Sequence, residues 1–330
     1  MDFHAEFFPR PFSLKINHRQ KLLLVGSCFT EQIGHKLAQH KFTVAENPNG
    51  ILFNPVSIAH AVRSYAAGKT YTAEELFHYN ELWGSWQHHT KFSNIEKEKA
   101  LDAINASQQR ANSFIKDSDW ILLTLGSAFV YENSAPDPDQ GYEHVVANCH
   151  KVPADKFNRR LLDIAEIKNV LSSMMQEVKK INPAVNFIFT ISPVRHLREG
   201  FIENNRSKAA LIQAVHSLVN ETDIFYFPAY ELVIDDLRDY RFYAEDMVHP
   251  NYAATNYVWE KFISTCIDEA SQQLMKEIAV VVSARNHKAF NPASEQHKKF
   301  LQANLDKVQK LSSLFPYIDL KDETDFFKGV

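Results

Sequence analysis

Residues 21–36 read KLLLVGSCFTEQIGHK. Leu22–Val25 is a short apolar run ended by Gly26, the pattern of a strand buried on both faces. Phe29, Ile33 and Leu37 follow at i, i+4 and i+8, which gives the next segment the apolar face of a helix. A buried strand that passes at once into a helix is the opening unit of an alternating α/β fold. Ser27 and Cys28 stand at the turn itself. A serine there projects near the positive end of the coming helix and becomes a nucleophile if a base reaches it. An ordinary N-cap serine reads the same locally, and Cys28 is either a second candidate or a small buried hydrophobe.

The pattern repeats along the chain. KFTVAENP (41–48), WILLTLG (120–126), NFIFTISP (186–193) and DIFYFPAY (223–230) read as further strands. DIAEIKNVLSSMMQEVKKINP (163–183) is the clearest helix, with Ile164, Ile167, Val170, Leu171, Met174, Val178 and Ile181 as its stripe and Asn182-Pro183 as its stop. A helix is expected over about 204–221. Alternation of this kind predicts a three-layer α/β/α, doubly wound parallel sheet of flavodoxin-like type, with the ligand site beyond the carboxyl ends of the strands. Ser27, Asn49-Gly50, Gly126-Ser127 and Arg195-His196 all follow strand ends and so belong on one rim. Residues 51–119, with ELWGSWQHH (81–89), read as a cap or insertion. After about 255 two long helices are expected, over 255–277 and 293–314, separated by the apolar run IAVVVSA (278–284). The expected organisation is an α/β domain over 1–255 and a helical extension over 256–330 packed on the same domain.

Composition narrows the function classes. The chain has 330 residues, 45% of them hydrophobic, enough for a large core. A net charge of −4 with no basic run argues against a nucleic-acid partner. No apolar stretch approaches a membrane span, and MDFHAEFFPRPFSLK has no secretory h-region. Cys28, Cys149 and Cys266 form neither a disulfide framework nor a zinc motif, which fits a cytoplasmic setting. His88-His89 point apart and His35…His40 is a poor helical spacing for a shared ligand, so no metal is expected.

The base for Ser27 is offered by YAEDMVHPN (243–251), where Asp246 and His249 lie three residues apart on a turn. A carboxylate and an imidazole so placed suit a serine nucleophile, although an isolated DxxH occurs often by chance. Taken with GSCF (26–29), NPNGILFNP (47–55), TLGSAFVY (124–131), HKVP (150–153), SPVRH (192–196) and YRFYAEDMVHP (240–250), the chain resembles the GSCFA family, a bacterial branch of the SGNH (GDSL-like) hydrolases. The resemblance covers most of residues 20–255. It implies Ser27 as nucleophile, His249 as general base and then acid, and Asp246 as its orienting partner. It implies hydrolysis or transfer of an O-acyl group without a cofactor, the substrate being a small-molecule or carbohydrate acyl ester. It also implies an oxyanion hole from the Ser27 N–H, a Gly50 N–H with Asn49 or Asn47 close by, and an asparagine after the third strand. Here LGSAFVYEN departs from the pattern: no asparagine follows Gly126. Ser127, or an asparagine of the Asn47–Asn54 loop, is expected to substitute. Arg195 and His196, with Gly126, are expected to meet the substrate, Arg195 having a salt bridge as its alternative. An O-acyltransferase, or a catalytically quiet binding protein on the same fold, are the competing readings.

Overall fold

Strand β1 (Lys21–Gly26) shows why the chain folds as it does. Leu22, Leu23, Leu24 and Val25 are all fully buried, yet they serve two different cores. Leu22 and Leu24 face one side of the sheet, and Leu23 and Val25 face the other. The two-residue period of a strand does this automatically, and helices cover both faces. The computed structural model describes residues 5–133 and 144–329; the first four residues of the N-terminal stretch read above lie outside them.

Four more parallel strands complete the sheet: β2 (Thr43–Glu46), β3 (Trp120–Leu125), β4 (Asn186–Ile191) and β5 (Ile224–Tyr226). Their spatial order is 5-4-3-1-2. The chain moves outward from β1 to β2, then returns to the far side of β1 with β3. The order therefore reverses between β1 and β3, where the register pairs Gly26 with Thr124. Crevices at such reversals are where doubly wound sheets bind ligands. β5 is shorter than its apolar run because Pro228 cannot donate to a ladder and the chain turns helical from Ala229.

Helix α1 (Cys28–Gln39) packs on one face through Phe29, Ile33 and Leu37. The other face carries α2 (Pro55–Ala67), the end of α3 (Lys97–Ile115), α4 (Ile164–Ile181) and α5 (Phe201–His216). α4 begins on a capping box between Asp163 and Glu166, as its sequence suggests. Within 51–119, α2 and the last turns of α3 belong to this core. A small hairpin (Phe77–Tyr79 with Leu82–Gly84) and the turn through His89 lie between them. A second antiparallel patch pairs Phe129–Glu132 with Val145–Val146 and Asn158–Leu161.

Helix α6 (Tyr252–Cys266) returns to the α1 face with Val258, Trp259 and Phe262. Beyond it lie α7 (Glu269–Asn286), α8 (Glu295–Leu314) and α9 (Lys321–Lys328). The expected break at 278–284 is absent. IAVVVSA is the second half of α7, with Ile278 and Val281 buried against Val308 and Leu311 of α8. Packing outweighs the modest helical penalty of the β-branched residues, and Val280 between them is simply exposed. No helix among the described residues is long and apolar enough to cross a membrane.

The C-terminal helices hold the sheet region through a buried carboxylate. Glu323 of α9 is buried and pairs with Lys41, just past α1, at 2.7 Å, and with Arg285 of α7 at 3.0 Å. Removing one member of such a group strands the remaining charges in a dry site. Glu323→Ala is expected to lower unfolding stability by about 3 kcal/mol, measured by chemical denaturation. Hydrogen exchange should show the loss first in α9 and in the turn around Lys41.

Candidate active site

Gly26 makes the serine turn possible. Its φ is +154°, and a Cβ built there would lie 2.3 Å from the Thr124 carbonyl oxygen. Ser27 then takes an extended conformation and caps α1, its Oγ accepting the Phe29 N–H at 3.3 Å. The side chain is fully buried. Cys28, the first helical residue, is partly buried. Burial, with help from Glu31, pushes its thiol pKa up, and a thiol held protonated is a poor nucleophile.

Asp246 and His249 form a tight pair. Asp246 Oδ2 lies 2.6 Å from His249 Nδ1, while Oδ1 accepts the N–H groups of Val248 (2.9 Å) and His249 (3.0 Å). These bonds, the backbone N–H of His249 first, hold the Asp246 pKa down at about 2. Oriented through Nδ1, the ring keeps Nε2 for another partner. The turn is closed by the Ala244 N–H donating to the His249 carbonyl, with Met247 in the left-handed region at φ +57°. It is tied to the end of β4 by the Arg195 N–H donating to the Val248 carbonyl at 3.1 Å. The Arg195 guanidinium stacks 4.1 Å from the Tyr243 ring centroid and 5.0 Å from that of Tyr240. Arg195 thus braces the histidine turn.

His196 lies between the two halves of the site. It is largely desolvated, which lowers its pKa to about 3, and Lys208 and His249 add to the effect. Its ring packs edge-on against Phe53 at 5.3 Å, and its Nε2 lies 3.1 Å from where a Gly126 side chain would begin. No hydrogen bond joins Ser27 to His249: Ser27 Oγ is occupied as the helix cap, and His249 Nδ1 is held by Asp246.

The expected oxyanion donors are largely engaged elsewhere. The Gly50 N–H donates to the Asn47 carbonyl at 2.7 Å. Asn49 donates through Nδ2 to the Gln87 carbonyl and accepts the Tyr65 hydroxyl through Oδ1. Ser127 donates its N–H to the Phe53 carbonyl, and its Oγ accepts the Phe129 N–H. Asn47 differs. Its Oδ1 accepts the Gly26 N–H at 2.8 Å, and its buried Nδ2 has no hydrogen-bond partner. It therefore places an unused amide donor one residue from Ser27. The Cys28 N–H, at the first helical position, likewise has no intrahelical acceptor.

Beside this rim lies a cavity of about 540 Å³ bounded by Phe53, Ser127, Phe129, Tyr131, Phe157 and His196. Arg198 reaches over the Tyr131 ring at 5.4 Å. Among the described residues no group of three or more His, Cys, Asp or Glu side chains is placed to hold a metal.

Sequence reasoning missed one polar row. Asn204, Ser207 and Lys208 are all buried on α5, at i, i+3 and i+4. Asn204 Oδ1 accepts the His196 N–H at 2.9 Å, and Ser207 Oγ accepts the Ala128 N–H at 2.7 Å. Lys208 Nζ donates to the Gly126 carbonyl at 2.7 Å and the Ser192 carbonyl at 2.6 Å. The signal was available: these polar residues continue the same face as Leu211, Ala214 and Val215, which is buried.

A family model described as the GSCFA family matches residues 21–262, and one described as the C-terminal domain of GSCFA domain proteins matches 278–329. The chain belongs to the GSCFA family. No curated protein matches it. Among solved structures it is similar to a carbohydrate esterase family 3 protein from Talaromyces cellulolyticus. That match has 10% identity and a TM-score of 0.37, and covers 78% of this chain and 98% of that one. It is also similar to an acetyl esterase mutant crystallised with acetate ion, at 11% identity and a TM-score of 0.33, over 78% of this chain and 99% of that one.

Proposed function

We propose that this GSCFA-family chain is a serine-dependent hydrolase of O-acyl esters. The observation that supports the reading is the Asp246–His249 pair, 2.6 Å apart, together with Ser27 at the end of β1, in the sequence order of the site motifs. In this mechanism His249 Nε2 accepts the Ser27 proton as Oγ attacks the acyl carbonyl. Asp246 holds the ring and stabilises the imidazolium. The Cys28 N–H and Asn47 Nδ2 receive the oxyanion. Collapse expels the alcohol, which takes its proton from His249, and a water repeats the steps in reverse order to free the acid. The rotation of Ser27 Oγ from its cap to His249 accompanies substrate binding. The aromatic walls of the neighbouring cavity suit the ring of an acylated carbohydrate as the alcohol part.

Ser27 Oγ resting in a helix cap is also what a binding protein without activity would show. Fluorophosphonate labelling separates the two. An esterase is expected to be labelled on Ser27, as located by peptide mass spectrometry, with no labelling in Ser27→Ala. An unlabelled wild-type chain that also fails to cleave p-nitrophenyl acetate would rule the enzyme out.

A further inference from the structure

Lys208 is 1% exposed and pairs with no carboxylate among the described residues. Burial lowers its pKa to about 7, so near neutral pH the amine is poised between its charged and neutral forms, and a negative charge forming beside it would favour the ammonium. Two of its three N–H groups are used, on the carbonyls of Gly126 and Ser192, the first residues past β3 and β4. Clamping carbonyls does not require a charge. Asn204, one turn away, and the adjacent Ser207 hold the same two loops as neutral groups. The groups around the ammonium come from three other elements: Cys28 at the start of α1, His196 past β4, and the Tyr230 ring at 5.8 Å past β5. None of them neutralises it while the thiol is protonated.

The Ser27–Cys28 turn, whose Cys28 interacts electrostatically with the ammonium, is where negative charge would develop. Gly126, whose carbonyl Lys208 holds, lies two residues beyond Thr124, the register partner of Gly26. We propose that Lys208 is a further residue of the site, a buried cation beneath the Ser27–Cys28 turn that stabilises negative charge formed at Ser27. This inference rests on the esterase reading for its catalytic meaning. It assigns to Lys208 the part that an asparagine after β3 would otherwise play. Its remaining N–H and its charge both act on an oxyanion, and a dry surrounding strengthens the effect.

The test uses a thiol as a probe of local potential. In full-length protein carrying Ser27→Cys and Cys28→Ser, the thiol at position 27 is titrated by its ultraviolet thiolate absorbance, as a difference against the Cys28→Ser protein. The titration is repeated with Lys208→Gln, which keeps a donor for the carbonyls, and with Lys208→Met. Loss of the charge is expected to raise the thiol pKa by about one unit or more, a tenfold loss of thiolate in the titrating range. An unchanged pKa in the Lys208→Gln protein would overturn the proposal, even if Lys208→Met fails to fold. In otherwise wild-type enzyme, Lys208→Gln is expected to lower kcat about a hundredfold with KM little changed. A shifted thiol in a chain that is inert toward esters would uphold the charge and remove the esterase reading. An unshifted thiol with an active wild-type enzyme would do the reverse.

Discussion

His249→Ala is expected to lower kcat/KM for an activated ester by about 10⁴-fold, near 5 kcal/mol of transition-state stabilisation. Ser27→Ala should cost a similar amount, and the double variant no more than either, because the two groups act as one unit. Additive losses would contradict a shared mechanism. Asp246→Asn should lose a comparable factor without loss of fold, since the asparagine can still accept the turn's N–H groups through one oxygen but no longer stabilises an imidazolium. The pH profile adds a second check. A carboxyl with a folded pKa near 2 stays ionised through the working range. Its contribution to stability is fully present above its ordinary pKa of 3.8 and is lost progressively as pH falls from there to about 2. Any loss of activity on mild acidification, between about pH 6 and pH 4, therefore belongs to another group. A profile in which Asp246→Asn moved only that mild acid limb, leaving the rate at neutral pH intact, would refute the assigned role.

The second large effect belongs to Gly26. An alanine Cβ would meet the Thr124 carbonyl oxygen at 2.3 Å and Thr30 Oγ1 at 2.8 Å, and the backbone at φ +154° resists a side chain. Overpacking of this kind costs about 1–3 kcal/mol, and positive-φ strain about as much again. Gly26→Ala should therefore lose about 4 kcal/mol, a large part of a typical folding stability. Gly200→Ala isolates the strain, because Gly200 has φ +90° but no atom within 4 Å of its added carbon. It should cost markedly less in the same urea titration. If the two lose equally, the close approach of β1 and β3 is not what requires glycine at 26.

Much of this architecture was legible in the sequence. Short apolar runs mark β1, β3, β4 and β5, since a strand covered on both faces has little room for polar residues; β2, only partly buried, is marked less clearly. The spacing of Ile167, Val170, Leu171, Met174 and Val178 gave α4 because its buried face is unbroken. The run 278–284 misled because apolar, β-branched residues read alike in a strand and in a helix wedged against another. Residue type and order single out the turns carrying Ser27, Asp246 and His249 as the candidate site. The state of their neighbours was not legible, because it depends on partners far along the chain. Asn49 is engaged by Gln87 and Tyr65, and Gly50 sits against His89, whose Cβ lies 2.2 Å from where its own side chain would start. Nor does a lysine in an amphipathic helix announce that it faces inward.

The ion group at Glu323 has a consequence for motion. α1 is held at its start by the Ser27 N–H on the Thr124 carbonyl, and just past its end by Lys41 on Glu323. Both ties oppose sliding or tilting of the helix. The histidine side chain, by contrast, is about half exposed on a short turn. In the proposed mechanism Ser27 therefore stands on an element anchored at both ends, while His249 stands on an exposed turn held to the sheet through Arg195.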